Sequence, residues 1–396
     1  MTTTDQLPAI LGGPKAFPDG LPLVRPTIPD IPGLVARLQT ILESGMLTNG
    51  KTVRELEERV ADLLQVPHVV ALANCTAGLM LTLQALGARG PVVMPSFTFA
   101  ASAHAVHWAG GTPAWAEIRR EDLTLDPADA ADRVAASGAV AMTATHIYGT
   151  PCQVEALQKI ADDAGIPLLY DAAHALGSKR RGTPIGHFGA AEVFSMSPTK
   201  VTTAGEGGLV ATADPELAAR LKIGRDYGNP GDYDTKFPGL NARMSELHAA
   251  IALAGMDTVA SRIAYRNELV EAFRSEVQDV PGLRLVQIDD GDVSTYKDLT
   301  LVLEPEVFGL TNVELGAALK AEGIDSRRYY APPIHRQSAY ASIRDQRELP
   351  VTDEMADRVL TPPLYSHMTV EQAVTVAQVV RRLQERAPAV RSSLAP

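Results

Sequence analysis

The sequence lacks most of the features that mark secreted, membrane-bound or disulfide-rich proteins. Its 396 residues include two cysteines, Cys75 and Cys152, which are too few for a disulfide framework and fit a reducing cytoplasm. The most apolar stretch, residues 69–88, is interrupted by four polar side chains and makes a poor membrane span. The amino terminus, MTTTDQLPAI, has no basic region followed by an apolar run, so we expect no signal peptide. We therefore expect a cytoplasmic protein with no membrane partner.

Positive charge is also scarce. Acidic residues outnumber lysine and arginine by 47 to 36, which gives a formal net charge of −11 and a sequence pI near 5.3. The SKRRG segment at residues 178–182 is too short to form a basic patch. Because an acidic surface repels phosphate backbones, we expect no nucleic acid partner. With 45% hydrophobic and 21% charged residues, the chain is typical of a folded globular protein, and its length suggests two domains.

The first 240 residues alternate strand-like and helix-like segments. Short apolar runs such as HVVALA, AVAMTATH and IPLLYD are separated by helical patterns such as AGLMLTLQALG and QVEALQKIADDAG. This alternation predicts an α/β fold with a mostly parallel sheet covered by helices. Residues 225–240, rich in Gly, Pro, Asp and Tyr, predict a long loop.

Beyond this loop the pattern changes. Residues 245–277 predict one long or bent helix, and the runs LRLVQI and KDLTLVLE predict strands. Two later helices begin with capping-box patterns, Thr311 with Glu314 and Thr369 with Gln372. We predict a domain boundary near residue 255, with a large domain over residues 1–255 that includes the amino-terminal segment. A small α+β domain would follow over residues 256–396.

Polar residues at the ends of two predicted strands could bind one ligand, since ligands of doubly wound sheets lie outside the carboxyl ends of the strands. The first strand is followed by Asn74 and Thr76 at the start of a helix, where free amides can hold a phosphate. Simple helix capping remains the alternative there. Asp171 ends another apolar strand and is followed by His174. An unpaired buried carboxylate is costly, so Asp171 needs a cationic partner, a helix-capping role or solvent.

The segment SMSPTKVTTAGEGG places Lys200 among hydroxyls and glycines, 29 positions after Asp171. Ser195 ends the strand before it and offers another phosphate ligand, and the glycines let the backbone approach a ligand closely. A surface lysine is the ordinary alternative. An amine for a Schiff base, a carboxylate for a pyridine nitrogen and a phosphate-binding helix start together predict a pyridoxal 5'-phosphate (PLP) site. We expect no metal ion in it.

Several motifs make the sequence resemble the DegT–StrS family of PLP-dependent sugar aminotransferases over nearly its whole length. The matching segments are SGMLTNGKTVRELEERVA, MPSFTFAASAHAV, THIYGTPCQVEAL, YDAAHALGS, FSMSPTKVTTAGEGGLVAT, GLNARMSELHAAIA and RRYYAPPIHRQSAY. The lysine–GEGG block together with DAAHA is the most specific of them. The resemblance implies a fold-type I transferase with a seven-stranded, mostly parallel sheet in the large domain. Cys75 departs from the pattern, because the family more often has Gly or Ser there.

The resemblance also implies roles for residues around the cofactor ring. Lys200 would form the Schiff base and shuttle a proton, and Asp171 would pair with the pyridinium nitrogen. His174 lies where the family has His or Gln near the phenolic oxygen, and Phe99 would stack on one face of the ring.

Other positions would bind the phosphate and the substrate. By the same resemblance, Thr76, the Ala77 amide and Ser195 would hold the phosphate, and Asn241 would reach it from the neighbouring subunit of a homodimer with shared active sites. The segment that contains Tyr330 and His335 resembles one that closes over the substrate, although a proline-fixed turn explains it equally well on sequence alone.

The expected reaction moves an amino group from L-glutamate, or glutamine, to a nucleotide-linked keto sugar in deoxyaminosugar biosynthesis, such as that of antibiotics or surface glycans. GEGG, with Glu206, is common in members that act at C4, whereas C3 enzymes tend to have GDGG or GDAG. We therefore predict amination at C4 of a dTDP-4-keto-6-deoxyhexose. Amination at C3 or of a cyclitol ketone remains an alternative. A non-catalytic PLP-binding regulator is a second one, and Lys200 argues against a sugar 3-dehydratase, which has His at this position.

Overall fold

The computed structural model describes residues 7–343 and 347–394, and its centre is a seven-stranded sheet. The strands lie in the order β1-β9-β8-β5-β4-β2-β3, and a separate two-stranded sheet pairs β6 with β7. Their bounds are β1 His68–Leu72, β2 Pro91–Pro95, β3 Thr112–Ala116, β4 Ala141–Thr145, β5 Leu168–Asp171, β6 Lys179–Arg180, β7 Thr183–Pro184, β8 Ala191–Ser195 and β9 Gly208–Thr212.

All neighbouring strands of the large sheet are parallel except those next to β9, which runs antiparallel to both β1 and β8. The predicted α/β fold with a mostly parallel sheet is therefore confirmed. Strand β4 is buried along its whole length because helices cover both faces of the sheet, which explains its nearly continuous apolar sequence. Since β1, β5 and β8 share a direction, their carboxyl ends lie at the same edge.

Eight α-helices belong to the described residues of this first part. They are α1 Ile31–Ser44, α2 Lys51–Leu64, α3 Cys75–Ala85, α4 Ala100–Trp108, α5 Pro127–Ser137, α6 Val154–Ala164, α7 Pro215–Gly224 and α8 Glu246–Met256. Helices α5 and α7 begin with an aspartate cap followed by proline, because proline needs no amide partner in the first turn. The predicted long loop at 225–240 contains no helix or strand, and its end is tied back by an isolated bridge between Asp226 and Asn241.

The second part of the chain packs helices on a small antiparallel sheet, β10-β11-β12. Both predicted capping boxes are present, at Thr311 and at Thr369. The elements are α9 Val259–Val277, β10 Leu283–Leu285, β11 Leu301–Leu303, α10 Pro305–Phe308, α11 Asn312–Ala321, α12 Pro350–Ala356, β12 Val359–Leu360, α13 Val370–Glu385 and α14 Ala387–Leu394.

The helical segment 245–277 is two helices, α8 and α9, separated at Asp257 and Thr258, so the bent form of that prediction is the one found. Leu21 belongs to the hydrophobic core of the second part, and Ile10 and Phe17 pack against that core. The amino-terminal residues before α1 thus pack against the second part of the chain, and the chain enters the first part at α1. The boundary near residue 255 stays a prediction.

Among residues 7–343 and 347–394, the helices are all too short or too polar to cross a lipid bilayer.

Candidate active site

Several of the predicted site residues converge at the carboxyl edge of the large sheet. His174, Ser195 and Lys200 line one small cavity, together with Lys297 from the second part of the chain. Asp171 ends β5 beside this cavity and interacts electrostatically with Lys200. Residues that are 126 positions apart in sequence, from Asp171 to Lys297, are therefore neighbours around one amine.

Glycine makes this arrangement possible where the segment after Lys200 returns to the sheet. A Cβ atom on Gly208 would lie 2.4 Å from both the carbonyl carbon and the oxygen of Asn74, and 2.6 Å from the Cys75 amide nitrogen. Gly205 has a φ of +77°, which L side chains rarely adopt. The GEGG sequence thus lets β9 lie against the turn between β1 and α3, which brings the start of α3 to the cavity.

The Lys200 side chain is partly buried in the cavity wall. Burial, and after it the nearby charge of Lys297, lower the pKa of Lys200 from 10.5 to about 8. Asp298, Cys75 and Asp171 act in the opposite direction. Near pH 7 roughly a tenth of Lys200 is then an uncharged amine, far more than of an ordinary lysine, and this is the state that a nucleophile or general base requires.

Asp171 is buried, and both of its carboxylate oxygens have donors. Oδ2 accepts a hydrogen bond from Ser102 Oγ at 2.6 Å, and Oδ1 accepts one from the Ala173 amide at 3.0 Å. The bond to Ala173 is a local turn contact, so Asp171 does not cap a helix. Burial raises the pKa of Asp171, while these two hydrogen bonds and Lys200 oppose the rise. A cationic ring nitrogen would add the partner that this buried carboxylate needs.

Ser102 was not identified from the sequence as a functional residue. It lies on α4 in the buried interior, and its Oγ is also 2.9 Å from Thr98 Oγ1, which in turn is 3.1 Å from Thr145 Oγ1. This chain of three hydroxyls ends on Asp171 and fixes the orientation of its carboxylate. Ser102 is the last residue of the motif FTFAAS, so the sequence did draw attention to this segment. Only the tertiary structure shows that α4 places this serine against Asp171 at the end of β5.

The His174 ring is held in a defined tautomer. Its Nδ1 accepts a hydrogen bond of 3.0 Å from the Tyr148 amide, so the ring proton is on Nε2. Burial lowers the pKa of His174 well below its ordinary value, and Lys200 and Lys297 lower it further. A neutral imidazole whose free nitrogen carries the proton is a hydrogen-bond donor, which suits a phenolate oxygen.

The predicted phosphate-binding residues lie at the start of α3 and the end of β8. Asn74 caps α3, and its Oδ1 accepts the Ala77 amide at 2.8 Å, so the capping alternative applies to Asn74. The amides of Cys75 and Thr76 belong to the first turn, where no intrahelical acceptor exists. Ser195 Oγ accepts the Ser197 amide at 3.3 Å. The Ala77 amide already donates to Asn74, so a phosphate would have to share this donor with the Asn74 side chain.

Phe99 and Tyr330 lie next to each other in the wall of an open cleft of about 490 Å³. Phe99 precedes α4 and is 61% exposed, and its ring centroid is 6.2 Å from that of Tyr330. Tyr330 also stacks on Tyr148, with centroids 6.4 Å apart. Arg327 and Arg328 line the same cleft. The cleft therefore has an aromatic wall and a cationic rim.

His335 has other neighbours. Its Nδ1 is 2.6 Å from Ser96 Oγ and its Nε2 is 3.1 Å from Asp353 Oδ1. These contacts tie the segment after Tyr330 to the end of β2, and the residues that line the open cleft do not include His335. A substrate-binding role for His335 stays a prediction.

Asn241 is exposed and lies away from the cavity around Lys200. Its Oδ1 accepts a hydrogen bond of 3.2 Å from Arg243. Arg243 in turn bonds Asp226 and lies over the Tyr227 ring, which fixes the end of the long loop. Asn241 therefore faces outward, as a residue that binds the cofactor of a neighbouring subunit would have to. This role stays a prediction.

The residues present fit PLP. His174, a neutral donor, and Lys200, an amine with a lowered pKa, line one cavity with Ser195, and the buried Asp171 carboxylate and Cys75 at the start of α3 are electrostatic neighbours of Lys200. Lys297 and Asp298, which the sequence reasoning missed, lie at the same cavity as an ion pair of 2.8 Å. The sequence did contain one indication of them. Two opposite charges stand side by side at the start of the strand-like run KDLTLVLE, and buried charges need a partner.

Residues 33–381 match the DegT/DnrJ/EryC1/StrS aminotransferase family. The chain belongs to this family. The family expected from the motifs is confirmed, and so are the fold and the dependence on PLP. The protein is accordingly a PLP-dependent aminotransferase.

Three similar proteins illustrate the relationship. The dTDP-4-amino-4,6-dideoxy-D-glucose transaminase of Escherichia coli is 28% identical over 91% of this chain and 98% of its own. The dTDP-3-amino-3,4,6-trideoxy-alpha-D-glucose transaminase of Streptomyces venezuelae is 33% identical over 89% and 92%. The crystal structure of DesI in the presence of its TDP-sugar product is 37% identical, with a TM-score of 0.91 over 97% of this chain and 98% of DesI.

Proposed function

We propose that the protein transfers an amino group from L-glutamate to C4 of a dTDP-4-keto-6-deoxyhexose, in the cytoplasm, as a step of deoxyaminosugar biosynthesis. The similarity to DesI, whose structure was determined with a TDP-sugar product, and to the Escherichia coli transaminase supports a nucleotide-linked substrate. The Streptomyces venezuelae relative is named for a 3-amino sugar, so relatedness alone does not choose between C4 and C3.

The open cleft is the observation that carries this proposal. A nucleotide-linked sugar has a diphosphate with two negative charges, and Arg327 and Arg328 supply two cations at the rim of the cleft. Both arginines are exposed. Thr98, which also lines the cleft, is hydrogen-bonded to Ser102, and Ser102 contacts Asp171, so the cleft adjoins the predicted cofactor site and a diphosphate held by the arginines would place the sugar near it. A small keto acid has no diphosphate that Arg327 and Arg328 could bind.

PLP, when bound, supplies an electron-withdrawing ring that stabilises the carbanion formed when the donor loses its α-proton. Lys200, whose lowered pKa leaves a larger uncharged fraction than in an ordinary lysine, would accept and return that proton. The Asp171 carboxylate, oriented by Ser102, would pair with the ring nitrogen. His174 would donate a hydrogen bond from Nε2 to the phenolic oxygen, and Phe99 would cover one face of the ring.

We also propose that Thr76, the Ala77 amide and Ser195 hold the cofactor phosphate in each subunit of a homodimer, with Asn241 contributed by the other subunit. Exposed apolar side chains support association. Ile31, Val35 and Leu42 on α1 and Met46 and Leu47 after it are between 46% and 60% exposed, and an apolar helix face of this kind is typical of an interface.

Product analysis tests the acceptor. We expect purified enzyme with PLP and glutamate to aminate the 4-keto nucleotide sugar, with the new C–N bond at C4 located by NMR. Amination of the 3-keto sugar alone, or of an inosose alone, would overturn the substrate and leave the aminotransferase chemistry in place. Lys200→Ala should retain some cofactor without a covalent link and lose turnover, since no other residue is proposed for the proton transfer. Full activity of that variant would contradict the site assignment.

A further inference from the structure

Lys297 is a second lysine at the cavity that contains Lys200. It comes from the segment before β11 and is 5% exposed. Its Nζ lies 2.8 Å from Asp298 Oδ1 and 5.5 Å from the centroid of the Tyr329 ring. Two contacts on different sides thus fix the position of this ammonium group. The pairing with Asp298 explains how a lysine can be buried here, and it holds the ammonium group at the cavity that contains Lys200.

The surroundings of Lys200 contain few other charges. His174 and Cys75 face it, but burial lowers the pKa of the histidine and raises that of the thiol, so both are neutral at neutral pH. The remaining charged neighbours are Asp171, Lys297 and Asp298. Lys297 is the like charge in this set. Because Lys297 is buried, repulsion between its ammonium group and that of Lys200 is screened less than at a surface.

We propose that Lys297, anchored by Asp298, is a positioning residue whose ammonium charge increases the fraction of Lys200 that is an uncharged amine. This inference rests on the proposed role of Lys200 in capturing the cofactor and moving the proton. Lys297 acts through Lys200 and needs no contact with the substrate. Asp298 has two effects: it holds the Lys297 side chain in place, and its own charge partly offsets the repulsion at Lys200.

The test compares the pH dependence of cofactor capture in four forms of the full-length apoprotein: wild type, Lys297→Met, Lys297→Arg and Asp298→Asn. Each is mixed with PLP over a range of pH and quenched with borohydride, and the pyridoxyl group on the Lys200 peptide is quantified by mass spectrometry. The ionisation of PLP itself is common to all forms, so differences between them report on the protein.

We expect Lys297→Met to raise the midpoint of capture by about one pH unit or more, which makes capture at pH 7 about tenfold slower. Lys297→Arg should stay near wild type, because the charge is kept. Asp298→Asn should shift the midpoint downward. Lys159→Met, an exposed lysine on α6, is the matched control and should change nothing.

Equal midpoints in wild type and Lys297→Met would overturn the inference, as would shifts of the same sign in Lys297→Met and Asp298→Asn. If Lys297→Met does not fold, Lys297→Gln and Asp298→Asn provide the same comparison. Failure of the proposed function has a different signature, because the wild type itself would then show no pyridoxyl label on Lys200.

Discussion

Ser102 Oγ donates a hydrogen bond of 2.6 Å to Oδ2 of Asp171, and this contact joins helix α4 to the end of strand β5. Ser102→Ala removes the donor and leaves a buried carboxylate oxygen without it, which typically costs about 1–3 kcal/mol. Because this hydrogen bond opposes the rise in the pKa of Asp171, we expect the pKa to rise further and PLP affinity to fall about tenfold or more. Fluorescence titration of the apoprotein with PLP measures the affinity.

Ser261→Ala is the matched control for this substitution, because Ser261 is exposed and bonds a backbone carbonyl of its own helix turn. Wild-type PLP affinity in Ser102→Ala would show that the hydroxyl chain has no influence on the cofactor site.

His174 should be mostly neutral at the pH where an ordinary histidine is half protonated, since burial, Lys200 and Lys297 all lower its pKa. NMR of the protein with labelled histidine should therefore show no titration midpoint of His174 near the ordinary value, with the proton on Nε2. His174→Gln keeps a hydrogen-bond donor and should retain more PLP affinity than His174→Leu. A titration midpoint near the ordinary value for histidine would contradict the assignment.

Gly208→Ala should destabilise the protein by more than about 1 kcal/mol and weaken PLP binding, because the new Cβ would collide with the backbone of Asn74. Gly316→Ala on α11 is the control. The atom nearest to its added Cβ is 3.5 Å away, so that variant should be unchanged or slightly more stable. Urea denaturation of both variants measures the free energy of unfolding. Equal stability of Gly208→Ala and wild type would mean that the turn before α3 can move aside.

Mixed dimers test whether Asn241 serves the neighbouring subunit. Lys200→Ala and Asn241→Ala chains, each inactive or weak as homodimers, should regain up to half of wild-type activity per dimer when combined. One site of the mixed dimer would then contain Lys200 together with the intact Asn241 of the other chain. If Asn241 serves its own subunit, no site in the mixed dimer is complete and activity will not recover. Sedimentation of an active monomer would exclude the shared site altogether.

The stability of the apoprotein should depend on Lys200 and on pH. The pKa of Lys200 is about 8 in the folded protein, against 10.5 for an ordinary lysine, so the unfolded chain binds more protons between these values. The free energy of unfolding therefore rises with pH from about 8 to about 10.5, and below that interval the folded state bears a constant penalty.

Lys200→Met removes this penalty, so the variant should be more stable than wild type at pH 7, and its advantage should shrink as the pH approaches 10.5. Lys159→Met, on an exposed lysine, should show no such trend. A stability difference that stays constant over this pH range would contradict the lowered pKa.

The sequence was sufficient where local chemistry decides the outcome. Alternating apolar runs predicted the parallel strands, and Thr311 and Thr369 identified two helix starts, because capping depends on residues three positions apart. Lys200, Asp171 and His174 were identified because each stands in a short motif next to a strand end. The break between α8 and α9 was harder, since a helical pattern continues through Asp257 with little change in periodicity.

By itself, the sequence determined the class of fold, the cofactor and the lysine expected to bind it, since these follow from periodicity and from compact motifs. The tertiary structure decided which groups surround that lysine. Ser102 reaches Asp171 across 69 residues, and Lys297 lies at the Lys200 cavity from 97 positions away. Electrostatic effects fall off with distance in space and depend on burial, and neither quantity can be read from spacing along the chain.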